Sequence, residues 1–190
     1  MEIDNAAQVI PADKPIYVIS IATVDDVPEI LALQAENQAA RGGFLSIEFP
    51  ALWFEKVIKD MPIVVARRDG RLVGYLVSSP PGSTQHLSLP QAKQRAYSGR
   101  RGAYNSGPLC IVQNERGRGL IAKLFETQRS LLAGREGIAF IRRDNAASRA
   151  VHARYGFREV AEFSHEGVDY LVVSYFAETI VPANNRKECP

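Results

Sequence analysis

The chain has 190 residues, 46% of them hydrophobic and 23% charged, with a net charge of +2; this fits one soluble globular domain and gives no electrostatic reason to expect nucleic acid as a partner. Its three histidines lie in distant segments, which argues against a zinc constellation or other metal site, and Cys110 and Cys189 are too far apart in sequence to suggest a disulfide framework. No basic leader with an apolar core opens the chain, and its longest apolar run, residues 16–22, is too short for a membrane, so the expected location is the cytoplasm.

Residues 16–21 (IYVISI) are rich in β-branched side chains and predict a strand. Thr23, with Asp25 and Asp26 behind it, reads as a helix cap with acids in the first turn. The spacing of Val27, Ile30, Leu31 and Leu33 predicts an amphipathic helix to about Gln38. Arg41-Gly42-Gly43 ends it, and residues 50–58 (PALWFEKVI) predict a second, shorter helix. Apolar runs over 63–66 and 72–77 flank Asp69-Gly70, a strong hairpin signal. Residues 80–107 show no strand pattern, although 89–97 can form a helix; loops of this length tend to be functional or mobile.

Residues 109–112 (LCIV) predict a strand, followed by Arg116-Gly117-Arg118-Gly119 and a helix to about Leu132. Another strand covers 138–141. Asp144-Asn145 then caps a helix over 146–154, which Gly156 ends. Residues 157–163 and 170–176 form a closing hairpin around His165-Glu166-Gly167. The expected organisation is an N-terminal extension (1–15), one domain (16–178) carrying an inserted loop (80–107), and a polar tail (179–190). The fold class is α/β, with a mixed, mostly antiparallel central sheet of about seven strands and helices on both faces.

The junction VQNERGRGLIAKL carries the first chemical signal. The first N–H groups of a helix lack intrahelical partners, and the helix dipole favours negative charge there. Glycine lets a ligand approach the backbone, so the run reads either as a pyrophosphate cradle or as a basic loop with nothing bound. Gly-x-x-x-x-Gly-Lys-Ser/Thr and Gly-x-Gly-x-x-Gly are both absent, which sets aside the Walker and Rossmann phosphate loops.

The element order and this loop together resemble the GNAT acetyltransferase superfamily. Arg116 to Ile121 matches that family's Gln/Arg-x-x-Gly-x-Gly/Ala signature, departing at Ile121, where a small residue is usual. Asn145 through Gly156-Phe157 matches a second signature, and the resemblance spans residues 16–176. It implies acetyl-CoA as cosubstrate, with no metal, and a pyrophosphate held by Arg116, Gly117, Arg118, Gly119, Leu120 and Ile121. It also implies that the pantetheine arm lies against the backbone of Cys110, Ile111 and Val112, with Asn145 and Arg149 contributing to cofactor binding. One strand N–H would stabilise the oxyanion, by about 3 kcal/mol in comparable sites.

Asn145, Ser148, Arg149 and His152 share a helix face by spacing, with Ala147, Ala150 and Val151 opposite and suited to packing. His152 occupies the position where the family usually has a tyrosine that protonates the departing thiolate. It reads as that general acid or as an ordinary solvent-facing histidine; Tyr155 reads as packing. No carboxylate lies on the strand before the glycine loop, Glu48 reads as solvated, and the general base has no assignment. Cys110 reads as a buried strand cysteine in preference to an acetylated nucleophile.

Between Asp69 and Glu115 the chain has no acidic residue, whereas Arg71, Lys93, Arg95, Arg100 and Arg101 are basic. The inserted loop either attracts an acidic acceptor or the 3′-phosphate of CoA, or is simply solvated. Phe44, Leu45, Phe49, Leu52 and Trp53 either line an apolar acceptor pocket or pack the core. The expected function is acetyl transfer to a primary amine of a small-molecule or peptide acceptor by direct attack. The alternative is a catalytically silent CoA-binding regulatory module. Neither a nucleic-acid nor a membrane partner is expected, and the exposed edges of such a sheet allow a homodimer.

Overall fold

The computed structural model describes residues 15–176. The expected extension up to residue 14, the tail and Cys189 lie outside the described residues. In chain order the elements are β1 (Val18–Ile21), α1 (Val27–Glu36), α2 (Ala51–Asp60), β2 (Ile63–Arg68), β3 (Arg71–Ser79), α3 (Ser88–Ala96), β4 (Tyr104–Ile111), α4 (Leu120–Leu131), β5 (Gly137–Arg142), α5 (Ala146–Arg154), β6 (Arg158–His165) and β7 (Val168–Tyr175). The strands form one seven-stranded sheet in the order β1-β2-β3-β4-β5-β7-β6. Every neighbouring pair is antiparallel except β4 and β5. The predicted α/β class and mixed sheet therefore hold. No helix among the described residues is long and apolar enough to cross a membrane.

Strand alternation distributes the core between two faces. On β2, Ile63 and Val65 pack with α1 and α2, while Val64 and Ala66 pack with α4. Because β2 is buried on both faces, its sequence is a continuous apolar run. On the first face Phe49 stacks on Trp53 at 3.8 Å, and Phe54 meets Trp53 and Tyr75 edge-on. On the second, Leu120, Leu124 and Phe125 of α4 are buried against the sheet, worth about 1.5–3 kcal/mol each.

β4 begins at Tyr104, earlier than the predicted start at Leu109. Residues 104–108 (YNSGP) show no alternating pattern, yet Ser79↔Asn105 and Ser78↔Ser106 pairing with β3 draws them into the sheet. The segment between β3 and β4, expected as an inserted loop over 80–107, therefore runs over 80–103. It contains α3 and a short 3-10 turn, Pro81–Thr84. Buried Glu136, just before β5, fastens it: the carboxylate accepts from the Tyr97 hydroxyl (2.8 Å), the Arg100 N–H (2.6 Å) and the Ser174 hydroxyl. Trp53 Nε1 also donates to the Ser83 carbonyl at 3.1 Å, tying α2 to the insertion.

The loop between α1 and α2 is held by a buried glutamine. Gln34 Nε2 donates to the Phe49 carbonyl (2.9 Å), and the Phe49 N–H donates back to Gln34 Oε1 (3.0 Å). Gly43 passes so close to α1's end that a Cβ there would lie 1.8 Å from the Asn37 carbonyl oxygen. Only glycine fits that approach.

Candidate active site

β4 and β5 pair at two rungs only, Tyr104↔Gly137 and Asn105↔Ile138, and then part. Gly107-Pro108 follows in β4, and proline has no N–H to continue a ladder. The β3–β4 register also shifts, between Leu76 and Ser78. A cavity of about 490 Å³ occupies the gap, walled by residues 42–47 and 49, the start of α5, and both parted strands. Its ionisable lining groups are Lys93, Arg116, Arg142 and His152; no aspartate or glutamate lines it among the described residues.

Backbone direction decides which groups of β4 face the gap. The Val112 N–H donates to the Val73 carbonyl at 3.0 Å. Backbone groups alternate along a strand, so Cys110 also turns toward β3, while Ile111 and Leu109 turn toward the gap. Of the expected set, Ile111 turns its backbone groups toward the gap, as does Leu109, whereas Cys110 and the Val112 N–H face β3. The Cys110 side chain is buried facing Tyr75, and burial pushes its thiol up to about 12. It cannot act as a nucleophile near neutrality.

The glycine run stands at the open end of the gap. Gly117 and Gly119 have φ of 76° and 84°, and Gly119 caps α4. The N–H groups of Gly117, Arg118 and Gly119 reach no backbone carbonyl among the described residues, which leaves them as donors to a ligand. Arg116, Gly117 and Ile121 line the cavity, whereas Arg118 and Gly119 face solvent beside it. The Leu120 side chain is core. Arg116 spans the mouth, donating from Nε to the Ile111 carbonyl (3.3 Å) and from Nη2 to Asn37 Oδ1 (2.9 Å). Ahead of the loop, Glu115 is buried between the Tyr17 hydroxyl (2.7 Å) and Arg68 (2.8 Å), and the Tyr17 hydrogen bond holds its pKa below the ordinary glutamate value.

On α5, Asn145 caps the helix by accepting the Ser148 N–H at 3.0 Å. Asn145, Ser148, Val151 and His152 line the cavity. His152 is 7% exposed, packed edge-on against Phe125 and Phe157, so the solvent-facing reading is overturned. Two further expectations on this helix are corrected. Arg149 turns outward to Glu159 at 3.0 Å and does not line the cavity. Ala147 and Ala150, expected to pack, are exposed, and Ala147 also lines the cavity. Burial lowers the His152 pKa. Its Nδ1 lies 2.8 Å from the Ser148 carbonyl and donates to it, which leaves the lone pair of the neutral ring on Nε2.

Phe44, Leu45, Phe49 and Trp53 line the cavity, but Leu52 is 76% exposed and does not. Glu48 is exposed and away from the site. Of the five basic residues noted between Asp69 and Glu115, Lys93 alone lines the cavity. Burial of that lysine, and the positioning roles of Gln34 and Glu136, have no local sequence signal, since each depends on distant partners.

No protein-family model matches the sequence, and no curated protein does. Many solved structures do match. A ribosomal-protein-alanine N-acetyltransferase from Brucella melitensis is 26% identical, with a TM-score of 0.61 over 84% of this chain and 99% of its own. YncA from Salmonella typhimurium, solved with its cofactor acetyl-CoA, is 16% identical, with a TM-score of 0.64 over 90% and 99%. A GNAT-family acetyltransferase from Streptococcus pneumoniae is 14% identical, with a TM-score of 0.63 over 86% and 100%.

Proposed function

Because this chain belongs to the GNAT acetyltransferase superfamily and is an acyltransferase, we propose that it transfers an acetyl group from acetyl-CoA to a primary amine by direct attack. The observation that carries this reading is the parting of β4 from β5 in front of an exposed glycine-rich helix start. The residues present fit the cosubstrate: the gap offers the backbone groups of Leu109 and Ile111 to an extended arm, and the N–H groups of 117–119 suit a pyrophosphate. Bound acetyl-CoA supplies an activated acetyl thioester.

The chain's own groups then divide the work. The Ile111 N–H, aimed into the gap, is a donor for a carbonyl oxygen. Asn145 and Ser148 border the arm. At neutral pH the buried His152 ring is uncharged, and Nε2 takes a proton from the incoming ammonium. The imidazolium so formed would return that proton to the departing thiolate, as the family resemblance implies at this position, while the second proton, lost from the amine nitrogen after attack, would pass to solvent.

One observation favours the second reading, a silent CoA-binding module: no carboxylate of the described residues lines the cleft. Titration calorimetry with CoA and acetyl-CoA, followed by release of free thiol over a panel of amines, tests both. Binding with turnover supports the transferase; binding without turnover on a broad panel supports the module. No heat with either compound at low salt overturns both.

A further inference from the structure

The end of the cleft opposite the glycine run holds a buried cation. Lys93 of α3 is 4% exposed and lines the cavity beside Asn105, Thr84 and Pro90. Its Nζ donates to Asn105 Oδ1 at 2.8 Å. That amide is oriented by its own Nδ2, which contacts the Pro80 carbonyl (3.3 Å) and the Ser79 hydroxyl (3.4 Å). An ammonium has three N–H donors, and no carboxylate pairs with this one among the described residues. A buried charge without a counter-ion is costly, and burial accordingly lowers the Lys93 pKa to about 8. An anion entering the cleft would relieve that cost.

The other basic residues of this region do not compete for it. Arg71, Arg95, Arg100 and Arg101 are exposed, and the Arg100 guanidinium lies 4.0 Å over the Phe176 ring. Nor is the anion one that binds the glycine run. Asn105 forms one of the two β4–β5 rungs, and Ile111 stands at the far end of β4. Six residues of strand separate them by about 20 Å. The anion at Lys93 therefore belongs to the molecule that enters opposite the pyrophosphate, which is the acceptor.

We infer that Lys93 is the receptor for a carboxylate on the acceptor, and that the acceptor is a small aminocarboxylate with an apolar body. The apolar body follows from Phe49, Trp53 and Pro90, which border the same end. The cavity, about 490 Å³, is of the size that takes a small molecule. The inference rests on the acetyl-transfer reading and specifies its substrate class.

The test uses the full chain saturated with CoA, titrated calorimetrically with L-phenylalanine, L-leucine, L-methionine and L-tryptophan, each against its amide; the same compounds are compared as acetyl acceptors. At least one free acid should bind about tenfold more tightly than its amide, as expected for a charge-assisted hydrogen bond of roughly 1.4 kcal/mol or more. In Lys93→Met that preference should fall to within about twofold, with CoA affinity unchanged, while Lys93→Arg should retain part of it. Lys93→Gln serves as the second charge-removing variant if Lys93→Met does not fold. The inference is overturned if no acid is preferred over its amide, or if the preference survives loss of the charge. Failure of the wild-type chain to bind CoA overturns the transferase reading itself, a different result.

Discussion

Replacing Glu136, which does not itself line the cleft, with glutamine should loosen the segment between β3 and β4. The carboxylate accepts from three donors, Tyr97, Arg100 and Ser174, and glutamine keeps one oxygen while presenting an N–H2 to donors it cannot accept from. Each buried donor left without a partner costs about 1–3 kcal/mol, so the variant should lose about 2–4 kcal/mol. For a chain of this size that corresponds to a fall in Tm of roughly 5–15 °C. The pH dependence gives a second readout. Burial alone would raise the Glu136 pKa, but the Ser174, Arg100 and Tyr97 hydrogen bonds outweigh it and hold the group below its ordinary value. A depressed carboxylate contributes stability above its unfolded pKa of about 4.3, lost as pH falls through the folded value. Thermal melts from pH 7 to pH 3 should therefore converge for the two proteins in acid. Because α3 carries Lys93, the variant should also raise KM for the acceptor more than for acetyl-CoA. A Glu136→Gln protein melting within about 1 °C of wild type at neutral pH would refute the clamp.

Three further outcomes can be measured. Gly43→Ala should destabilise by on the order of 3 kcal/mol or more in urea titration, since its Cβ meets the Asn37 carbonyl oxygen and the loop must move; wild-type stability would refute the close approach. Cys110 should resist iodoacetamide at pH 8 in the native protein and react only in denaturant, with mass spectrometry as the readout. His152→Phe should lower turnover about 10²-fold with little change in CoA affinity, and should abolish the acid limb of the wild-type pH–rate profile. That limb should fall below the ordinary histidine pKa of about 6.5, because burial disfavours the protonated ring.

Local signals carried much of the fold. Asp69-Gly70 located a hairpin, Asn145 a helix start, and the Arg-Gly-Arg-Gly run a helix entrance, because each is a short-range constraint on backbone geometry. Long-range pairing was less legible. Tyr104–Pro108 joins the sheet through β3's backbone, which leaves no side-chain pattern to read. On α5 the spacing correctly grouped Asn145, Ser148 and His152, but polar residues facing an internal cleft read the same as polar residues facing water. Lys93 was visible only as one charge among five; its isolation from the carboxylates of the described residues arises when α3 packs beside β6 and brings Lys93 to Asn105. The absence of an acid within the cleft belongs to the same class, since Glu48 and Glu115 are near in sequence to lining residues and point elsewhere.

The two rungs joining β4 to β5 have a mechanical consequence. Four strands stand on one side of that seam and three on the other, each group stitched internally by its own antiparallel ladders. A long molecule inserted along the seam would take the position of an absent strand and brace the two groups against each other. Amide exchange at Ile111 and Phe140, on opposite lips of the opening, should slow together when the seam is filled and quicken together when it empties.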